Sequence, residues 1–244
     1  MTTSGIASFN LDLNELVEEA FERCGQGLRS GYDLRTARRS LNLLTIEWAN
    51  RGINLWTIEQ GQIVLSTGQA TYDLPVDTID LLDQVIRTQP NSLQQTDINI
   101  NRISESTYST IPNKLAQGRP IQVWINRQSG ATYPGIPTDT VKHPQINVWP
   151  TPNAPDSQYI FVYWRLRRIQ DAGNGINTQD IPFRFLNAMV AGLAYYLSIK
   201  LQDVDPNRIG PLKAEYEQQF ELAAQEDREK ASIRFVPRNM SYTR

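Results

Sequence analysis

Ten of the fourteen prolines in this 244-residue chain fall between Pro75 and Pro155. Each proline removes a backbone donor and fixes φ, so a long helix cannot run through that stretch, and short strands joined by loops can. Helical periodicity is confined to the two sides. Leu13, Leu16, Val17, Ala20, Phe21 and Cys24 recur at three- and four-residue steps, while Asp12, Glu15, Glu18, Glu19 and Glu22 take the other face. This spacing predicts a first helix from Asn10 or Asp12 to Cys24, stopped by Gly25 and Gly27. A second helix starts near Asp33 as its N-cap, carries Ala37, Leu41, Leu44 and Trp48 on one stripe, and closes at Asn50-Arg51-Gly52.

On the far side, Asp180-Ile181-Pro182 opens a third long helix, with Asp180 as the cap candidate and Pro182 in the first turn. Phe185, Met189, Leu193, Tyr196 or Leu197, and Leu201 give it a broad apolar surface, with Ala188, Ala191, Gly192 and Ala194 beside them. Such breadth suits a helix packed on more than one side. A last helix follows Pro206 and runs to about Lys230, with Leu212, Tyr216, Phe220 and Ala223 or Ala224 inward.

Between these helices, residues 62–66 and 70–74 flank Thr67-Gly68 as a strand–turn–strand signal. Residues 121–126, 145–149 and 158–169 read as further strands. In the last of these, Ile160, Val162, Trp164 and Leu166 alternate with Tyr159, Phe161, Tyr163 and Arg165, both sets bulky enough to be covered. Residues 76–85 and 104–108 are expected to form brief helical turns. The fold class is therefore α+β: an antiparallel helical bundle, 8–56 and 181–231, split by a small β-rich insertion domain, 57–180. An extended C-terminal arm, 232–244, follows. A domain inserted into a bundle loop must begin and end at neighbouring points.

Composition removes several function classes. A net charge of −2 is too small for a protein that coats nucleic acid. One cysteine, Cys24, excludes an intramolecular disulfide and any cysteine-based metal cluster, and it reads as a small buried hydrophobe. The lone His143, between Lys142 and Pro144, has no second histidine to share a zinc ion. The start of the chain lacks a basic, then apolar, secretory signal, and the most apolar run, 186–201, is interrupted by Asn187, Ser198 and Lys200. No membrane association, cofactor or metal is expected. Phosphate-loop, nucleophile-elbow and dinucleotide fingerprints are missing, and the acidic residues of the first helix are spaced as a solvated face. Arg165, Arg167 and Arg168 could touch phosphates or solvate a strand edge.

Charge is unevenly placed instead. Glu15, Glu18 and Glu22 make the first helix acidic outside, whereas the second begins with Arg35, Arg38 and Arg39. These six are the candidate subunit-interface residues; they could also pair within one chain or face water. The arm carries Arg234, Arg238 and Arg244 with no acid, together with Phe235, Val236, Pro237, Met240 and Tyr242. Arginine, aromatic and Met side chains are the types enriched where proteins bind one another.

Several local phrases then resemble one family. They are Gly68-Gln69-Ala70-Thr71-Tyr72-Asp73-Leu74-Pro75; Gly118-Arg119-Pro120 leading into Val123-Trp124-Ile125; Val148-Trp149-Pro150-Thr151-Pro152; and Asp180-Ile181-Pro182 followed by Leu186 and Ala191-Gly192-Leu193-Ala194-Tyr195-Tyr196-Leu197. In that order they are similar to the head–tail adaptors of short-tailed bacteriophages, also called tail accessory or head-completion factors. The resemblance spans about Leu13 to Phe220. It implies a structural head–tail connector of the virion neck, assembled in the host cytoplasm and not an enzyme. Relatives form a ring, usually of twelve copies, under the portal protein; it extends the channel for passing double-stranded DNA and offers a platform to the tail nozzle or fibres. On this chain the implied portal-binding segment is the arm: Arg234, Phe235, Val236, Pro237, Arg238, Met240, Tyr242 and Arg244. The competing reading is a virion-associated cell-wall glycosidase that works through an Asp/Glu pair.

Overall fold

A computed structural model describes residues 4–5, 9–29, 31–52, 55–127, 143–154, 158–173 and 177–227. The fold is α+β, with five α-helices and two four-stranded sheets among these residues. They divide into two compact units: a helical one from residues 4–44, 173–178 and 182–227, and a β-rich one from 45–172 and 179–181. The division falls inside the second helix.

In the helical unit, α1 spans Leu13–Cys24 and buries the six apolar residues that its spacing predicted. Its start is fixed by a reciprocal capping box. The Asp12 carboxylate accepts from the Glu15 backbone at 2.8 Å, and the Glu15 carboxylate accepts from the Asp12 backbone at 3.1 Å. Gly25 ends the helix in the left-handed region at φ 77°, where a side chain would also collide with the Arg208 guanidinium. Helix α2, Gly31–Asn50, buries Ala37, Leu41, Leu44 and Trp48 completely. It begins two residues earlier than expected. Asp33 lies inside its first turn, and the Asp33 carboxylate accepts from the Arg29 backbone at 3.2 Å rather than capping the helix.

After a single 3₁₀ turn, Phe183–Phe185, comes α4, Leu186–Lys200; the short α3 belongs to the β-rich unit. α4 packs on α1 and on α5, Pro206–Glu226. Gly192 is the close-approach point: a Cβ there would lie 2.9 Å from both Leu44 and Tyr216 side-chain atoms. Around it, Tyr216 stacks on Tyr195 and tilts against Phe220, which meets Phe185 edge-on. Cys24 is buried against α4, its thiol donating to the Ala194 carbonyl at 3.1 Å. Burial pushes the thiol up to about 11, an effect the Arg208 charge only partly offsets.

The β-rich unit departs from expectation in its connections. Strand β1, Ile58–Val64, pairs with β8, Tyr159–Arg167, while β2, Thr71–Asp73, pairs with β7, Gln145–Trp149, in the other sheet. The Thr67-Gly68 turn is present, with Gly68 at φ 76°, but it passes the chain between sheets instead of closing a hairpin. The reason is visible in its bonds: Gly68 N–H donates to the Pro152 carbonyl at 2.9 Å and the Thr67 hydroxyl binds the Ala154 carbonyl, so the turn faces a loop and not its own strand.

The stretch expected to coil into helical turns, 76–85, is mostly strand. β3, Thr78–Thr88, lies between β8 and β4, Thr96–Asn99, giving the order β1-β8-β3-β4. Its register slips against β8 between Thr78 and Asp80 and again between Leu81 and Asp83, and these irregularities break the two-residue alternation that marks a strand. β5, Asn101–Ile103, pairs in parallel with β6, Gln122–Asn126, completing the second sheet as β2-β7-β6-β5. The other turn expected, after Ser104, is the short helix α3, Glu105–Ser109, capped by the Ser104 hydroxyl. One core joins the sheets: Leu65, Tyr72, Leu74, Leu81, Ile86, Ile100, Val123, Ile125, Ile146, Val148, Phe161 and Tyr163 form a single buried cluster.

Candidate interaction surfaces

The two long helices at the front of the chain set out two concave surfaces on the helical unit. The first is a groove of about 840 Å³ along the outer face of α1 and the start of α4. Leu11, Leu186 and Val190 line it, Phe9 and Phe183 stand at its edge 76% and 78% exposed, and Glu15, Glu18, Glu19 and Glu22 bound it. Not all four glutamates are available. Glu15 is engaged in the capping box, and Glu19 holds the Arg23 guanidinium at 2.9 Å. Arg23 also reaches Glu215 of α5 at 2.9 Å and the Asn187 amide oxygen at 3.0 Å, so it bolts three helices together in the wall of the groove, which Arg23 and Asn187 also line. Glu18 and Glu22 are exposed and make no ion pair among the described residues.

The second surface gathers Tyr32, Arg35, Arg38, Arg39 and Asn42 around a hollow of about 510 Å³. A neighbouring hollow of about 410 Å³ shares Tyr32 and Arg39 and adds Leu43 and Lys200. Tyr32 and Leu43 are 64% and 51% exposed. Lys200 is tied down, donating at 2.7 Å to the hydroxyl of Ser40, which itself donates to the Thr36 carbonyl. The structure thus collects Glu15, Glu18 and Glu22 on one surface and Arg35, Arg38 and Arg39 on another. The arm residues Arg234, Phe235, Val236, Pro237, Arg238, Met240, Tyr242 and Arg244 lie outside the described residues.

Sequence spacing missed the exposed apolar partners of these charges, Phe9, Tyr32, Leu43 and Phe183. Tyr32 and Leu43 fall off the Ala37–Trp48 stripe of α2, and that offset is the signal that could have found them.

A third cluster, in the β-rich unit, corrects the phosphate reading of the strand-end arginines. Arg165 and Arg167 are each only 9% exposed and share the inward face of β8 with Phe161 and Tyr163. Glu59 bridges them, 2.8 Å from Arg165 and 2.6 Å from Arg167; Asp77 binds Arg165, and Asp180 binds Arg167 through both carboxylate oxygens. The hydrogen bond from Arg165 holds the Asp77 carboxyl below its ordinary value. At Asp180, burial acts upward, yet Arg167 and the Gln170 backbone N–H outweigh it and leave the carboxyl lowered. Asp180 therefore anchors its segment to the sheet and does not cap a helix. A carboxylate triad has already neutralised these cations, so phosphate would have to displace it.

His143 sits against the Leu74 carbonyl at 3.2 Å. Among the described residues no cluster of His, Cys, Asp and Glu could hold a metal ion, and no helix is long and apolar enough to cross a membrane.

Exposed apolar side chains rimmed by charge are the kind of surface by which proteins bind one another. Comparison with known sequences agrees in kind: a family model described as SU10 adaptor protein matches residues 11–240. No curated protein matches the chain. Since that match covers nearly all of its length, the chain belongs to the SU10 adaptor family, and it is a structural adaptor protein of a phage.

Proposed function

We propose that this protein is the head–tail connector of its virion, a ring of copies docked beneath the portal in the neck. The family match over residues 11–240 carries this reading. In it, the helices before and after the β-rich insert form an antiparallel bundle that serves as ring body. The β-rich unit is the platform for the tail nozzle or fibres, and the arm, 232–244, reaches the portal. Twelve copies extend the channel through which double-stranded DNA passes. A net charge of −2 supports a channel role, because a wall dense in cations would grip phosphate and slow ejection. Two unlike surfaces on one unit support a ring as well, since a closed cyclic assembly repeats one interface between different patches. The work is mechanical, without catalysis.

The test is to mix the purified protein with the portal of its phage and weigh the products. A complex of fixed stoichiometry is expected, and deletion of residues 232–244 abolishes it. If the truncated chain binds portal with undiminished affinity, the arm is not the portal-binding segment.

A further inference from the structure

We infer that the acidic groove of α1 receives the basic face of α2 from a second copy of this chain, so that the two surfaces are the halves of one interface. This rests on the ring reading and adds to it which residues meet.

Charge is in register between the two surfaces. Glu18 and Glu22 are four residues apart on an exposed helical face, and Arg35 and Arg39 are four residues apart on another. Four residues rise about 6 Å along a helix, so two carboxylates and two guanidiniums face each other at matched spacing when the helices lie side by side in either direction. Neither glutamate has an ion partner among the described residues, and Arg39 makes a long contact, 3.4 Å, to the Thr36 hydroxyl. Arginine suits such a contact because its planar fork binds carboxylate through two donors.

Exposed apolar side chains flank both sets of charges. Phe9 and Phe183 stand beside the glutamates, and Tyr32 and Leu43 stand beside the arginines, all four more than half exposed. Residues 32, 35, 39 and 43 fall on one line of α2, a ridge with an aromatic at one end and Leu at the other. The acidic surface is a groove with an apolar floor, the shape that accepts a helical ridge. Like charges exclude the self-pairings. Two acidic grooves repel each other, as do two arginine ridges, so neither surface pairs with its own copy. Pairing unlike patches gives head-to-tail contacts, the kind that form a ring when the rotation between copies closes.

Two charge-reversed variants test this, Glu18→Arg with Glu22→Arg, and Arg35→Glu with Arg39→Glu. Glu15 is left intact because it caps α1. Circular dichroism confirms that each folds, and native mass spectrometry counts copies in the presence of the phage's portal. Wild type gives a closed multimer whose formation weakens with added salt. Each variant alone loses the multimer. An equimolar mixture regains it, because a reversed groove fits a reversed ridge, and the two variants alternate. Of two double variants, Glu18→Cys with Arg39→Cys and Glu18→Cys with Arg35→Cys, the first gives a ladder of disulfide-linked copies under oxidation if the helices lie antiparallel and the second if they lie parallel, and no singly substituted chain gives one.

Either charge-reversed variant assembling like wild type overturns the inference while the ring stands. Loss in the glutamate variant alone also overturns it, since something other than the α2 ridge then fills the groove, the basic C-terminal segment being one such occupant. A ladder that stops at two copies supports the pairing and overturns the ring. Wild type remaining a monomer with portal overturns both.

Discussion

Gly192 marks the point where the helices of the first unit come closest. Leu44 and Tyr216 occupy the space a side chain would need, so Gly192→Val must displace one of them from a full core. Overpacking of this kind costs roughly 1–3 kcal/mol. Urea unfolding should show the midpoint fall without a change in slope. Gly61 poses a similar constraint in β1, where the Tyr163 ring covers it from the paired strand. Cys24 illustrates the opposite case, a reactive atom made inert by its setting. With its thiol pushed up to about 11 and its sulfur buried, iodoacetamide should leave the native protein unmodified at neutral pH and label it once in denaturant. Rapid labelling of the native chain would show that α1 lifts off α4.

At the scale of elements, the arginine–carboxylate cluster is what joins β1, β8, the turn before β3 and the segment carrying Asp180. Asp77 and Asp180 have folded values below the ordinary 3.8, so folding favours their charged forms. Their contribution is therefore complete above about pH 5 and is lost as the pH falls through the lowered folded values. The thermal midpoint of the wild type should drop as the pH is taken from about 5 to about 3. Asp180→Asn should be less stable at neutral pH, by on the order of 1–3 kcal/mol, and should show a shallower acid slope. The estimate stays below that of a fully buried pair because Glu59, 43% exposed, remains bound to Arg167. An unchanged slope would remove Asp180 from the ion-pair account.

How much of each element could be read beforehand follows the same chemistry. α1, α4, α5, β6, β7 and β8 have regular periods and clear terminators, and their positions were legible to within a few residues. β3 was not, because its bulges disturb the alternation, and β4 and β5 are short and largely exposed. Which strands pair was illegible for a different reason. The Thr67-Gly68 turn is locally indistinguishable from a hairpin turn, and its bonds to Pro152 and Ala154, far along the chain, accompany the passage of β1 and β2 into different sheets. The inward arginines of β8 carried a signal that went unread: they share parity with Phe161 and Tyr163, so they had to be buried and paired. The six charged candidates of the interaction surfaces were legible as charges, but the concavities and exposed aromatics beside them depend on packing.

As a whole molecule, the proposed connector works by presenting surfaces to other virion proteins. Removal of residues 232–244 should leave the cooperative unfolding of the rest intact while portal binding is lost, since α5 and its buried Leu212, Tyr216, Phe220 and Ala223 precede the arm. Differential scanning calorimetry of the truncated and full chains checks the first half of that expectation. The most direct measurement is a cryo-electron microscopy reconstruction of the intact virion at the tail-bearing vertex. As the proposed connector, this fold should occupy a closed ring directly beneath the portal and line the DNA channel there. Density for it in the tail tip, in the capsid shell or as isolated copies off the channel axis would contradict the account.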